Sequence, residues 1–249
     1  MERVLERVRR IARIVQVDAA AWGIPRWAPG WLLALPIVAT VGLALAAPHP
    51  RLYHFLVDED HVIEWSQFVA ILCAAGVFAV AGRRAYRGER RGLAIIFALV
   101  TVGSLVVAGE EISWGQRILG FGTPDALDTI NHQGEANVHN ISGVQRLFNL
   151  GELFAGLYGV VVPLLYAASS IRQRLAGRLD RLLVPPLCLG ALFLLPFAYR
   201  AIRAVFILDA GERITEFGEL PELTLYMGIL ITGVVIARRL GSSESATRA

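Results

Sequence analysis

Apolar residues along this chain gather into six long runs instead of alternating with polar ones. A helix needs about 20 predominantly apolar residues to cross a hydrocarbon core of about 30 Å. Runs near that length lie at 28–47, 62–81, 92–109, 150–171, 182–202 and 217–237. They predict an all-α, polytopic transmembrane helical bundle of about six spans. Small residues recur inside them, among them Gly103, Ser104, Gly156, Gly159 and Gly190, and suit close helix–helix approach in lipid. Pro36, Pro163 and Pro196 fall within spans and are expected to kink them. Ahead of the first span, residues 1–27 interleave arginine with Val4, Leu5, Val8, Ile11 and Val15 at helical spacing, the pattern of an amphipathic helix lying on a membrane surface. A cleaved leader ending near residues 44–46 is the competing reading, and the length of the basic segment argues against it. Residues 238–249 are expected to form a disordered tail.

Composition agrees. Of 249 residues, 55% are hydrophobic and 18% charged, with a mean hydropathy of +0.54, too little charged surface for a soluble domain of this length. Charge then orients the bundle. Every one of the 24 basic residues is arginine; six lie between 3 and 26, five between 83 and 91, four between 172 and 181 and three between 238 and 248. These 18 share one side if the spans alternate, and the positive-inside rule makes that side the cytoplasm, with both termini there and the protein in the plasma or inner membrane. Orientation and anionic lipid account for the arginines, so membrane lipids are the expected partners and nucleic acid is not. Of the 21 acids, 15 fall on the other side, together with all five histidines. Cys73 and Cys188, the two cysteines, sit in mid-span and exclude a disulfide framework or thiolate cluster.

The candidate chemistry concentrates in the outer segment 110–149, between spans three and four. About 40 residues is long for a connection in a compact protein, and its scattered apolar residues predict an ordered loop of one or two short helices over the outer mouth of the bundle. Thr123-Pro124-Asp125 reads as a helix start with Thr123 as N-cap. His132, Glu135 and His139 stand at i, i+3 and i+7, which places them on one face if the segment is helical. Imidazole and carboxylate together suit Zn, Mn or non-haem Fe. Glu110 and Glu111 close the third span; neighbours on a helix diverge by about 100°, so at most one is expected to point fully into the bundle. In the sixth span only 15 uninterrupted apolar residues run from Leu223 to Ala237. The membrane helix must therefore take in Glu219 and Glu222, with Glu216 one step further out, and carboxylates at that depth suggest function. Glu64 and Gln67 lie deeper in the second span than the acids that open it.

These residues point to an outer-face carboxylate and histidine site. Glu64, Glu111, Glu135 and Glu219 are the candidate catalytic groups. Glu111, His132, Glu135, His139, Glu216 and Glu219 are the candidate ligands of a divalent metal. Three functions fit: a metal-dependent enzyme acting on a lipid or lipid-linked substrate, a cation- or proton-coupled transporter, and a non-catalytic assembly protein. No inverted repeat relates 28–109 to 150–237, which weighs against the second. The run Glu110 to Arg117 (EEISWGQR), followed by Asn131-His132-Gln133-Gly134-Glu135 and His139-Asn140, resembles a segment of bacterial multi-span membrane proteins to which no activity is assigned. The resemblance covers about 30 residues and implies a membrane location, not a reaction.

Overall fold

A computed structural model describes residues 1–58, 61–131, 134–139, 141–168, 180–206 and 216–248. Backbone polar groups in hydrocarbon have no water to bind, so each span must close its hydrogen bonds within a helix. The described residues accordingly form an all-α bundle without strands. Its helices are α1 (Glu2–Ala21), α2 (Ala28–Ala46), α3 (Pro50–Val57), α4 (Val62–Arg87), α5 (Arg91–Glu111), α6 (Gln116–Leu119), α7 (Asp125–Asp128), α8 (Ser142–Ala167), α9 (Gly190–Phe206) and α10 (Glu219–Arg248). Six stretches are long and apolar enough to cross a membrane: Ala28–Ala46, Pro50–Arg87, Arg91–Glu111, Gly143–Ala167, Arg181–Val205 and Glu219–Ser242. The chain is thus a multi-pass integral membrane protein.

Three boundaries differ from the sequence expectation for local reasons. The helix of the fourth span begins eight residues early, because 142–149 continues the helix in place of ending the loop. The fifth opens as two 3-10 turns, Arg181–Leu183 and Leu187–Leu189. Pro185 and Pro186 stand between them, and a proline drives the residue before it out of the helical region. Finally, α10 runs on to Arg248 where a disordered tail was expected from 238. No proline interrupts 238–248, and just ahead of this stretch the Arg84 guanidinium donates to the Ala237 carbonyl at 2.5 Å.

The core lies where α4 packs on α5 and α10, and where α9 joins α8 to α10. Phe78, Phe97, Leu189, Leu192, Phe193 and Leu225 fill it. Two of the small residues are used as expected. A methyl group on Gly159 would sit 2.1 Å from Phe193 Cγ, and one on Gly156 would meet the Phe193 carbonyl at 2.9 Å, whereas Gly103 and Gly190 have open space. Gly159→Ala is expected to cost about 1–3 kcal/mol through forced displacement of the Phe193 ring, read as a lower unfolding midpoint in detergent. Phe193→Leu on the same background should recover part of the loss; an unchanged midpoint in the single variant would place α8 elsewhere.

At the basic end, α1 leaves Val4, Leu5, Val8 and Ile11 exposed. Its far end is tied down. Asp18 accepts from Arg181 at 2.5 Å and from the Leu187 amide at 2.8 Å, and Trp22 lies under the guanidiniums of Arg181 and Arg239 at 4.6 and 5.0 Å.

Candidate functional site

At the opposite end, α4, α8 and α10 begin while α5 and α9 finish. Helix starts carry partial positive charge, and Glu64, Glu219 and Glu222 occupy the first turns of α4 and α10, where it favours their carboxylates. Glu111 has no such help. It closes α5, at the negative pole of that helix, and its carboxylate accepts from the Tyr226 hydroxyl at 2.9 Å.

Directly after Glu111 the chain makes a left-handed turn, with φ of 47° at Ser113, 55° at Trp114 and 81° at Gly115. For Ser and Trp this conformation costs about 1–3 kcal/mol each and persists only where surroundings enforce it. They do so here through Glu110, which is 2% exposed. One of its carboxylate oxygens accepts from Trp114 Nε1 at 2.7 Å, and the other from the amides of Val138 and His139 at 2.7 and 2.9 Å. Ser113 Oγ donates to Glu135 Oε2 at 2.7 Å, and Asn137 Nδ2 reaches the same oxygen at 2.6 Å. The Gln116 side chain donates to Thr123 Oγ1 and accepts from the Ala136 amide. Glu110 and Glu111 therefore both point inward but divide their tasks: Glu110 pins the loop and Glu111 enters the space beneath it.

The described part of the loop is held by these bonds, but not in the expected register. Residues 134–139 are not helical, and Gly134 takes a φ of 65°, so the i, i+3, i+7 argument for a shared helical face fails. Glu135 and His139 meet through the fold of the loop instead. His132 lies outside the described residues. The helix predicted at Thr123 starts at Asp125 with Pro124 as its cap, because the Thr123 hydroxyl is engaged by Gln116 and Gly134.

Beneath the loop lies a cavity of about 300 Å³, lined among others by Glu64, Glu111, Glu135, His139 and Glu219. Four of the five come from separate stretches expected from sequence to converge, and they do. Asp58, Glu152, Glu222, Arg200, Arg203 and Tyr226 also belong to its polar wall. Seven carboxylates thus face two guanidiniums and one imidazole. Arg200 is committed: it grips Glu152 with two bonds of 2.8 and 2.9 Å and also donates to Glu222. Gln67, fully buried, donates to the carbonyl and carboxylate of Glu219 at 2.8 and 3.0 Å. Burial opposes the charged form of His139, but the Glu110 carboxylate, 3.4 Å from its Nδ1, and the charges of Glu111 and Glu135 outweigh it, holding the imidazole above the usual histidine value.

The metal set expected from sequence divides. Among the described residues, the group of three whose ligand atoms all lie within 4.8 Å of one another is His54, Asp58 and Glu216. Glu216 therefore parts from Glu111, Glu135, His139 and Glu219 and turns to the end of α3, where His54 Nδ1 lies 2.9 Å from Asp58 Oδ1. Its Oε2 is buried without a hydrogen-bond partner among the described residues. Asp58 belongs both to this triad and to the cavity wall, so the triad stands at the rim. Sequence reasoning passed over His54 and treated Asp58 as a helix-start acid. The available signal was their i, i+4 spacing just ahead of α4. Glu152 carried a signal too, as an acid inside a span. No protein-family model, curated protein or solved structure matches the chain.

Proposed function

We propose that the protein is a metal-dependent membrane enzyme whose cavity processes the polar part of a lipid or lipid-linked substrate. The observation that carries this reading is the convergence of Glu64, Glu111, Glu135, His139 and Glu219, from distant stretches of chain, on one cavity at an end of the bundle. So many carboxylates at membrane depth demand compensation by protons or cations.

The triad at the rim supplies the place for a divalent metal. Ligand atoms about a metal at roughly 2.0–2.2 Å stand some 3–3.5 Å apart, so the His54, Asp58 and Glu216 atoms need only a small closure. A metal bound there polarises an ester or phosphoryl oxygen and acidifies water. Glu111 and Glu219, which line the same cavity as Asp58, are the candidate bases, Arg203 receives the anionic group of the substrate, and Glu135, held by Ser113 and Asn137, positions the loop. By the distribution of arginine, the basic end faces the cytoplasm of the plasma or inner membrane and the cavity opens on the other side.

Elemental analysis of protein purified without chelators tests this. About one Zn, Mn or Fe per chain is expected in the wild type and in Glu111→Gln, with loss in His54→Ala and Glu216→Gln. Wild-type protein that is metal-free and takes up none of these ions on titration would sink the metal reading. Proton or cation flux in proteoliposomes, abolished by Glu111→Gln, would then assign the cavity to transport.

A further inference from the structure

A second cavity, of about 580 Å³, lies on the outer side of the α4–α5 hairpin at the opposite, basic end of the molecule. Gly82, Ala94 and Ala98 leave the depression between the helices, and the exposed side chains of Tyr86 and Ile95 border it. Arg83 and Arg91 line the same groove. Other arginines of this end are used by the protein itself: Arg84 binds the Ala237 carbonyl, Arg90 pairs with Asp180, and Arg181 pairs with Asp18. Neither Arg83 nor Arg91 is paired with an acid among the described residues.

We propose that this groove is a binding site for an anionic phospholipid, one acyl chain lying along the small residues and the phosphate head held by Arg83 and Arg91. An apolar trough facing hydrocarbon takes an acyl chain from any lipid. The selectivity comes from two guanidiniums placed where the trough reaches the interface, since basic pockets between spans favour anionic heads and guanidinium matches phosphate geometry with paired donors.

Delipidated protein in mixed micelles, titrated with phosphatidylglycerol or phosphatidylcholine and read by native mass spectrometry, tests the proposal. Phosphatidylglycerol is expected to bind roughly tenfold or more tightly than phosphatidylcholine. The R83Q/R91Q double variant should lose this preference while still binding both lipids weakly; Arg87→Gln, off the groove, should keep it. Filling the groove with Ala98→Phe should weaken both lipids together. Both arginines are exposed, so their removal leaves the packing intact and the charge result stands even where the filled variant does not fold. Equal affinity for the two lipids, or a preference that survives R83Q/R91Q, overturns the assignment. So does efficient disulfide formation between copies of Ala98→Cys in membranes, which would give the groove to a second copy of the chain.

Discussion

Replacing Arg200 with methionine is expected to lower the thermal unfolding midpoint of the detergent-solubilised protein by roughly 10 °C. The side chains of Arg200 and Glu152 are each 11% exposed and that of Glu222 19%, so the guanidinium sits between two carboxylates that water reaches poorly. Removing one member of a buried ion group costs about 3–5 kcal/mol, because the partners stay behind uncompensated. For a chain of this size each kcal/mol moves the midpoint by about 2–4 °C. The companion variant separates cause from packing. With Glu152→Gln and Glu222→Gln added, the stranded charges disappear and most of the lost stability should return, since a neutralised group is often no worse than the pair it replaces. Arg200→Lys should fall in between, because an ammonium cannot make the two parallel bonds to Glu152. An Arg200→Met protein that melts with the wild type would mean that the three groups do not meet as described.

The same triad marks how far the sequence could be read. Membrane spans are legible because lipid imposes a one-dimensional rule: about 20 apolar residues in a row, whatever they pack against. The six runs therefore appear as six spans. The sixth stretch also takes in Glu219 and Glu222, as its 15 uninterrupted apolar residues require. Contacts between spans obey no such rule. Glu152 and Arg200 are 48 residues apart and each looks like one charge near a helix end; only the packing of α8 on α9 makes them a pair. His54, Asp58 and Glu216 are brought together in the same way, by α3 folding back beside the start of α10. In the 110–139 loop the local pattern misled. A helical period was assumed for His132, Glu135 and His139, but Gly134 in the left-handed region and the carboxylate of Glu110, which takes the amides of Val138 and His139, impose an irregular path. Glu135 and His139 still line one cavity, but through that irregular path and not through a shared helical face.

Glu110 and Glu111, adjacent in sequence, should fail in different ways when changed. Glu110→Ala strips acceptors from two backbone amides and an indole N–H. A buried donor left without a partner costs about 1–3 kcal/mol, so three of them are expected to cost about 3–9 kcal/mol in total. The loss should be local: faster hydrogen exchange and new protease cleavage across 112–139, with the spans intact, because the left-handed turn at Ser113 and Trp114 keeps its shape only while Glu110 holds Trp114 and the 138–139 amides. Glu111→Gln removes a negative charge from the negative pole of α5 and keeps an acceptor for the Tyr226 hydroxyl. Its stability should stay within about 1 kcal/mol of wild type, or rise. What it should lose is the chemistry of the cavity, by about 10²–10⁴-fold if Glu111 transfers a proton in the reaction. Exchange protection of the loop, measured beside turnover of lipid substrates, separates the two. Matching loop exposure in both variants would place Glu111 in the scaffold with its neighbour and pass the role of base to Glu64 or Glu219, which line the same cavity.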